Sequence, residues 1–213
     1  MELNKTSKEI VILIFASLIL SLSYLFPLTE SPITILAIFF GFLLIIGINL
    51  LVKKMVAYTL EAKVETKFWS LERYGFKEKH HFKKPVYMLW LPPLLSLMTR
   101  GGSFLWMPIL EFDIRARTER VAKRHELYRF AQMTDWHMGL IVFWGIIANI
   151  FLYIILNIIG LTEIAVLSLY YAIWSIIPIS NLDGTKLLFG NRSLWVIAGI
   201  IILIAFFWQS TLF

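Results

Sequence analysis

Five long apolar runs constrain this chain more than any other feature: about 10–27, 34–54, 137–159, 164–180 and 193–212. Each falls within the ~17–25 residues that a helix uses to cross roughly 30 Å of hydrocarbon. With no water in the bilayer core, a spanning segment must satisfy its own backbone hydrogen bonds, and uninterrupted runs of this length do so as helices. The expected fold is an all-α polytopic membrane protein with about five transmembrane helices in a single membrane domain, residues 1–213. Composition agrees, because 59% hydrophobic residues and a mean hydropathy of +0.75 exceed what one soluble core of 213 residues buries. The first run is expected to be a permanent span: its apolar stretch is long and no small-x-small cleavage site follows it.

Charge placement orients these spans. With the N-terminus in the cytoplasm, residues 1–9, 53–135 and 181–192 carry two, sixteen and two of the chain's 20 Lys and Arg residues, which is all of them. The two external connections hold only Glu30 and Glu163 as charged residues, as the positive-inside bias requires. The C-terminus is then outside. The run 86–110 is not read as a sixth span, because crossing there would export Arg115, Arg117, Arg120, Lys123, Arg124 and Arg129. Pro92-Pro93 and Arg100-Gly101-Gly102 also cut it into pieces too short to cross. A re-entrant or β-hairpin segment over 86–114 is expected instead, inside a cytoplasmic connector at 55–136.

The net charge of +6 and pI near 9.5 follow from this topology, so a nucleic-acid partner is not expected unless the chain is ribosome-associated. Membrane lipids, especially anionic ones, are expected neighbours of the basic face. The absence of cysteine excludes disulfides and thiolate metal sites. His80-His81 diverge on a helix or strand and have no partner at ligand spacing. His125-Glu126 resembles the start of a zinc-protease helix, but position 129 is Arg. Residues 115–133 read as a basic helix at the membrane surface, and 59–85 as a connector with some extended structure.

The residues that stand out are polar ones inside the spans. Asp183 lies at a break, Ile179-Ser180-Asn181-Leu182-Asp183-Gly184, between two apolar runs, where an unpaired carboxylate is expensive. Asn49 and Lys53 are four apart and share one helix face. Asn149 follows Gly145 and Ala148, small residues that permit close helix approach. Lysine stems near helix ends commonly snorkel, and intramembrane Asn commonly joins helices, so these features alone leave structural and functional readings open.

Three separated pieces together resemble one family, the intramembrane site-2 zinc metalloproteases. Asn181-Leu182-Asp183-Gly184 resembles the segment whose Asp is that family's third zinc ligand. Gly145-Ile146-Ile147-Ala148-Asn149 is similar to its G-P-x-x-N helix, and Trp90-Leu91-Pro92-Pro93 to Phe104 resembles its loop between core helices. The resemblance covers about residues 34–192. Where the family carries H-E-x-x-H, this chain has Asn49-Leu50-Leu51-Val52-Lys53. Asn49 and Lys53 stand at the ligand positions and Leu50 at the general base.

The resemblance implies a site-2-protease-like core that has lost its chemistry, with no catalytic residues, no metal ligands and no zinc. A catalytic zinc needs about three protein ligands and a carboxylate to handle the proton of its water. The expected remnant is a cluster of Asn49, Lys53, Asn149 and Asp183, with Lys53 supplying Asp183 with the positive charge a metal would bring and the asparagines filling hydrogen bonds. A client groove would be lined by Trp90, Pro92, Pro93 and Gly145. The expected function is a pseudoprotease that binds transmembrane clients or partner proteins in membrane-protein biogenesis or quality control. Two alternatives are an active metalloprotease using His125 or His137 with Asp183, and a scaffold whose basic face docks a cytoplasmic partner.

Overall fold

A computed structural model describes residues 2–73, 81–99, 105–117 and 133–211. In order, the elements are α1 (Glu2–Tyr24), α2 (Pro32–Thr59), β1 (Ala62–Phe68), β2 (Ser70–Arg73), β3 (His81–Tyr87), a 3-10 turn (Met88–Trp90), α3 (Leu91–Met98), β4 (Leu110–Ala116), α4 (Asp135–Ile159), α5 (Thr162–Ile176), α6 (Asp183–Gly190) and α7 (Arg192–Thr211). Four of the helices are long and apolar enough to cross a membrane: Thr6–Tyr24 within α1, and the whole of α2, α4 and α7. The chain is therefore a helical membrane protein.

Two expectations about the helices change. The segment at 164–180 forms α5, which has 15 residues and is only about 22 Å long at 1.5 Å per residue. It stops at Ile176 because Ile177 precedes Pro178 and is pushed into an extended conformation, φ −72° and ψ 125°. At the other end of the chain, α1 begins at Glu2 rather than near residue 10, since the polar residues before the apolar run continue the same helix.

The fold is mostly rather than entirely α. Strand structure begins at Ala62, inside the connector expected to hold some extended structure, and continues into the segment at 86–114 expected to be re-entrant or a hairpin. In β1, Ala62, Val64 and Thr66 are buried while Lys63 and Lys67 are exposed; this is the alternation of a strand with one covered face. β1 pairs with β4. Arg117 N–H donates to Glu61 O at 3.0 Å and Trp69 N–H to Ile109 O at 2.9 Å, so the strands run antiparallel. β2 pairs antiparallel with β3, Ser70 opposite Tyr87, with a bulge between Leu71 and Arg73. Within 86–114, the eight-residue α3 is far too short to cross, and Pro92 and Pro93 sit in its first turn, where no intrahelical N–H is needed. Arg115 and Ala116, expected in a surface helix, end β4 instead. Most of that expected helix, including His125 and Glu126, lies outside the described residues, as do His80 and residues 100–104.

The chain divides into two compact units, the first comprising Met1–Leu43 and Thr66–Glu111, the second Leu44–Glu65 and Phe112–Phe213. In the first, α1 packs on α3. Ala16, Ser17, Leu20 and Ser21 form its buried stripe, and the Ser17 and Ser23 hydroxyls bond back to Leu13 O and Ile19 O. Trp69 stacks on Trp106, ring centroids 6.1 Å apart.

In the second unit α4 is central, packing on α5, α6 and α7. It ends at Gly160, φ 89°, where the left-handed cap lets Leu161 N–H reach Leu156 O at 2.9 Å. Near its start α4 crosses α6 at paired glycines: a Cβ on Gly139 would lie 3.2 Å from Gly190 Cα. Bulk at this crossing must push the helices apart, so Gly139→Val should lower stability by about 1–3 kcal/mol. An apparent Tm in detergent reads this effect, with Gly47→Ala as a control, since nothing lies within 4 Å of a Cβ at Gly47. An unchanged Tm for Gly139→Val would show that the crossing is loose.

Candidate functional site

The site is built where the second half of α2, the middle of α4 and the start of α6 meet within the second unit. Asn49 and Lys53 share the inward face of α2, and both are 0% exposed. α4 turns Gly145 toward them. A Cβ on Gly145 would lie 2.6 Å from Lys53 Cε and 2.9 Å from Lys53 Cγ, so the lysine stem lies across bare backbone. Asn49 Nδ2 donates to Gly145 O at 2.9 Å, tying the same two helices one turn further along. A carbonyl already engaged in a helix has a second lone pair available for such a bond.

Asp183 is delivered by the break that ends α5. The chain leaves Ile177 extended, passes Ser180 at φ 47° and Leu182 at ψ 172°, and starts α6 at Asp183. Gly184 allows this turn to rest directly on the end of α5, because a Cβ there would come within 2.5 Å of Ile176 C and O. Trp195 of α7 completes the seat, its indole Nε1 donating to Ile176 O at 2.9 Å. As the first helical residue, Asp183 also places its carboxylate at the positive end of the α6 dipole.

Lys53 Nζ donates to Asp183 Oδ2, joining α2 to α6 through a fully buried lysine and an aspartate whose side chain is 8% exposed. The Phe112 ring of β4 lies 3.6 Å from Nζ, centroid to nitrogen, and stabilises the charge through its face. Lys186, one turn beyond Asp183, donates to Phe112 O. Phe112 thus contacts both lysines, one by its ring and one by its carbonyl.

Of the four residues expected to cluster, Asn49, Lys53 and Asp183 are linked through Gly145 or directly. Asn149 behaves differently from the expectation. It is 0% exposed, but its contribution is its backbone carbonyl, which accepts from Ser168 Oγ of α5 at 2.8 Å. Its side-chain amide has no hydrogen-bond partner among the described residues, and the same holds for Asn49 Oδ1 and Asp183 Oδ1. Leu50 is buried, 5% exposed. Phe112 and Lys186 were missed in the sequence. The spacing of Lys186 from Asp183 was a usable signal, whereas nothing local marks Phe112.

These residues do not fit a zinc ion. An ammonium has three donors and no lone pair, Lys53 Nζ is already on the Asp183 carboxylate, and Leu50 has no proton-handling group. His137, at the start of α4, has its Nδ1 on the Thr134 hydroxyl, and His125 lies outside the described residues. Among the described residues no group of three His, Asp or Glu side chains is placed to hold a metal.

The residues expected to line a groove do not all have that role in evidence. Gly145 is covered by Lys53. Trp90, half exposed, and Pro92 and Pro93 belong to the first unit. An apolar cleft of about 320 Å³ does open between α2 and α4 in the second unit, lined by Ile48, Val52, Trp144, Ala148, Phe151 and Ile155 among others.

Fold and site together define a helical membrane protein whose second unit is pinned by a buried lysine–aspartate pair. No protein family, no curated protein and no solved structure matches the chain.

Removing one member of a buried ion pair strands the other charge, typically at about 3–5 kcal/mol. Lys53→Met should therefore sharply lower the apparent Tm in detergent, and Lys53→Met combined with Asp183→Leu should recover much of the loss. Full stability of the single variant would show that the pair does not hold the fold.

Proposed function

We propose that this chain is a site-2-protease-like membrane protein that has given up hydrolysis and instead holds a transmembrane segment of a client or partner protein. Its N-terminus is cytoplasmic and its C-terminus outside, as the distribution of Lys and Arg supports. Membrane-protein biogenesis or quality control is the natural setting for such an activity.

The observation that carries this reading is the Lys53–Asp183 pair. The sequence resemblance puts Asn49 and Lys53 at two ligand positions and Asp183 at the third, with Lys53 and Asp183 130 positions apart. That Lys53 reaches Asp183 supports treating them as one ancestral site. The lysine supplies the charge that would otherwise come from a metal, and Leu50 stands where the resemblance puts the general base. Binding then falls to the α2–α4 cleft, which is lined on the α2 side by Ile48 and Val52 and presents Trp144 and Phe151 of α4, both exposed. Its walls are wholly apolar side chains apart from the Trp144 indole, which suits the side chains along one face of an incoming helix.

Two measurements test this. A photoreactive residue at Phe151, in native membranes, should form adducts with intact membrane-spanning proteins, and Ala148→Trp, which fills the cleft, should remove those adducts. The same probe at Ile204 on α7 should not yield them. Adducts from Ile204 equal to those from Phe151 would sink the cleft assignment. Metal analysis addresses the loss of hydrolysis: about one zinc per chain, lost on Asp183→Ala, would restore a metalloprotease reading.

A further inference from the structure

The contact between α2 and α4 carries a polar deficit that the ion pair does not account for. Asn149 is fully buried on α4, and among the described residues neither its amide nitrogen nor its amide oxygen has a hydrogen-bond partner. Asn49, fully buried on α2, spends its Nδ2 on Gly145 O at 2.9 Å and leaves Oδ1 unpaired. Buried amides without partners are costly, and native structures keep them few. One donor and two acceptors are thus held in reserve between two helices that are each long and apolar enough to cross a membrane.

Helix register puts both asparagines beside the apolar cleft. At 3.6 residues per turn, Asn149 stands about 60° round α4 from Leu152, and Asn49 about 60° round α2 from Val52. Leu152 and Val52 both line the cleft, whereas neither asparagine does. Each asparagine is therefore the next position round its helix from a cleft wall, on the side buried in the protein. A helix that presses into the cleft and parts α2 from α4 meets these two side chains next.

The unpaired atoms define the chemistry of what they can receive. A carboxylate would satisfy only the Asn149 nitrogen, and an ammonium only the two oxygens; a carboxamide carries both a donor and an acceptor and satisfies both kinds. Any charged side chain would also disturb Lys53 and Asp183, whose charges already offset each other.

Resting on the cleft reading above, we propose that the client is a membrane-spanning segment with a carboxamide side chain, Gln or Asn, at mid-span, and that this side chain pairs with the Asn149 amide and with Asn49 Oδ1 as the client enters between α2 and α4. Entry of such a segment satisfies groups that otherwise have no partner, in the way that polar side chains join helices inside a membrane. An apolar client leaves the same groups unpaired and gains nothing from them. The apolar cleft admits a helix, and the asparagines behind it select among the helices admitted.

The test uses the whole protein reconstituted in liposomes, with the photoreactive residue at Phe151, and spanning peptides of Leu and Ala that differ at one central position. The peptide with Gln at its centre should give about three to ten times the adducts of the peptide with Leu. Asn149→Leu, which keeps the size of the side chain, should erase that preference. It should not lower the apparent Tm, because the resting structure loses no side-chain hydrogen bond. Equal labelling of the two peptides by the protein with Asn149 intact overturns the proposal while the cleft assignment stands, and this comparison needs no further variant to fold. Labelling of neither peptide overturns both. A Gln preference that survives Asn149→Leu also overturns the proposal, as does stronger labelling of a peptide with Asp at its centre, which would make Lys53 the attracting group.

Discussion

The second unit depends on one electrostatic constraint, a lysine and an aspartate that must find each other because neither has water to turn to. Lys53 is fully buried, and Asp183 nearly so. An ammonium or carboxylate transferred alone from water into such surroundings loses several kcal/mol of hydration. Mutual attraction, the Phe112 ring and the α6 helix terminus offset that loss. Each of these works only at short range, so α2, β4 and α6 are held to a narrow set of positions. An apolar contact would let the helices slide; a buried charge pair does not.

Such a pair can form only where backbone makes room for it. Gly145 does so on α4, where any side chain would overlap the lysine stem. Gly184 does so at the start of α6, where any side chain would overlap the last carbonyls of α5. Pro178 contributes from the other direction by ending α5 early and freeing the segment that swings Asp183 inward. The ion pair and these three residues act as one device. The charges supply the attraction, and the missing side chains and the proline supply the path to it.

The sequence made the helices and the polar pair legible to different degrees. Apolar length placed α1, α2, α4 and α7, because a spanning helix has no partner on one side and shows its hydrophobicity directly. It overextended α5, where the hydropathy of Ile176, Ile177 and Ile179 hides the backbone effect of Pro178. The i, i+4 relation gave the shared face of Asn49 and Lys53, and the high cost of a lone carboxylate pointed Asp183 toward a cation. The Asn149 amide was not legible: helix register brings it to the interior without saying which neighbour it meets, and here the backbone carbonyl makes the contact. β1 was legible only as some extended structure within 59–85, because its alternation is carried by Ala62, Val64 and Thr66 among charged residues. Phe112 joins the site through strand pairing, a long-range relation with no local trace.

A metal centre and a lysine–aspartate pair do similar mechanical work but leave different chemistry behind. A zinc ion would hold its ligands while keeping an open position for water, which is what makes such a centre reactive. The ammonium of Lys53 is covalently tied to α2 and is covered on one side by the Phe112 ring and on another by Gly145. It holds Asp183 through a donor that has no lone pair, where a metal would use an open coordination position. The neighbouring cleft is then free to be selected for shape alone. In the proposed function this is the point of the substitution: the helices that once framed a reaction remain in register, and the surface beside them serves recognition.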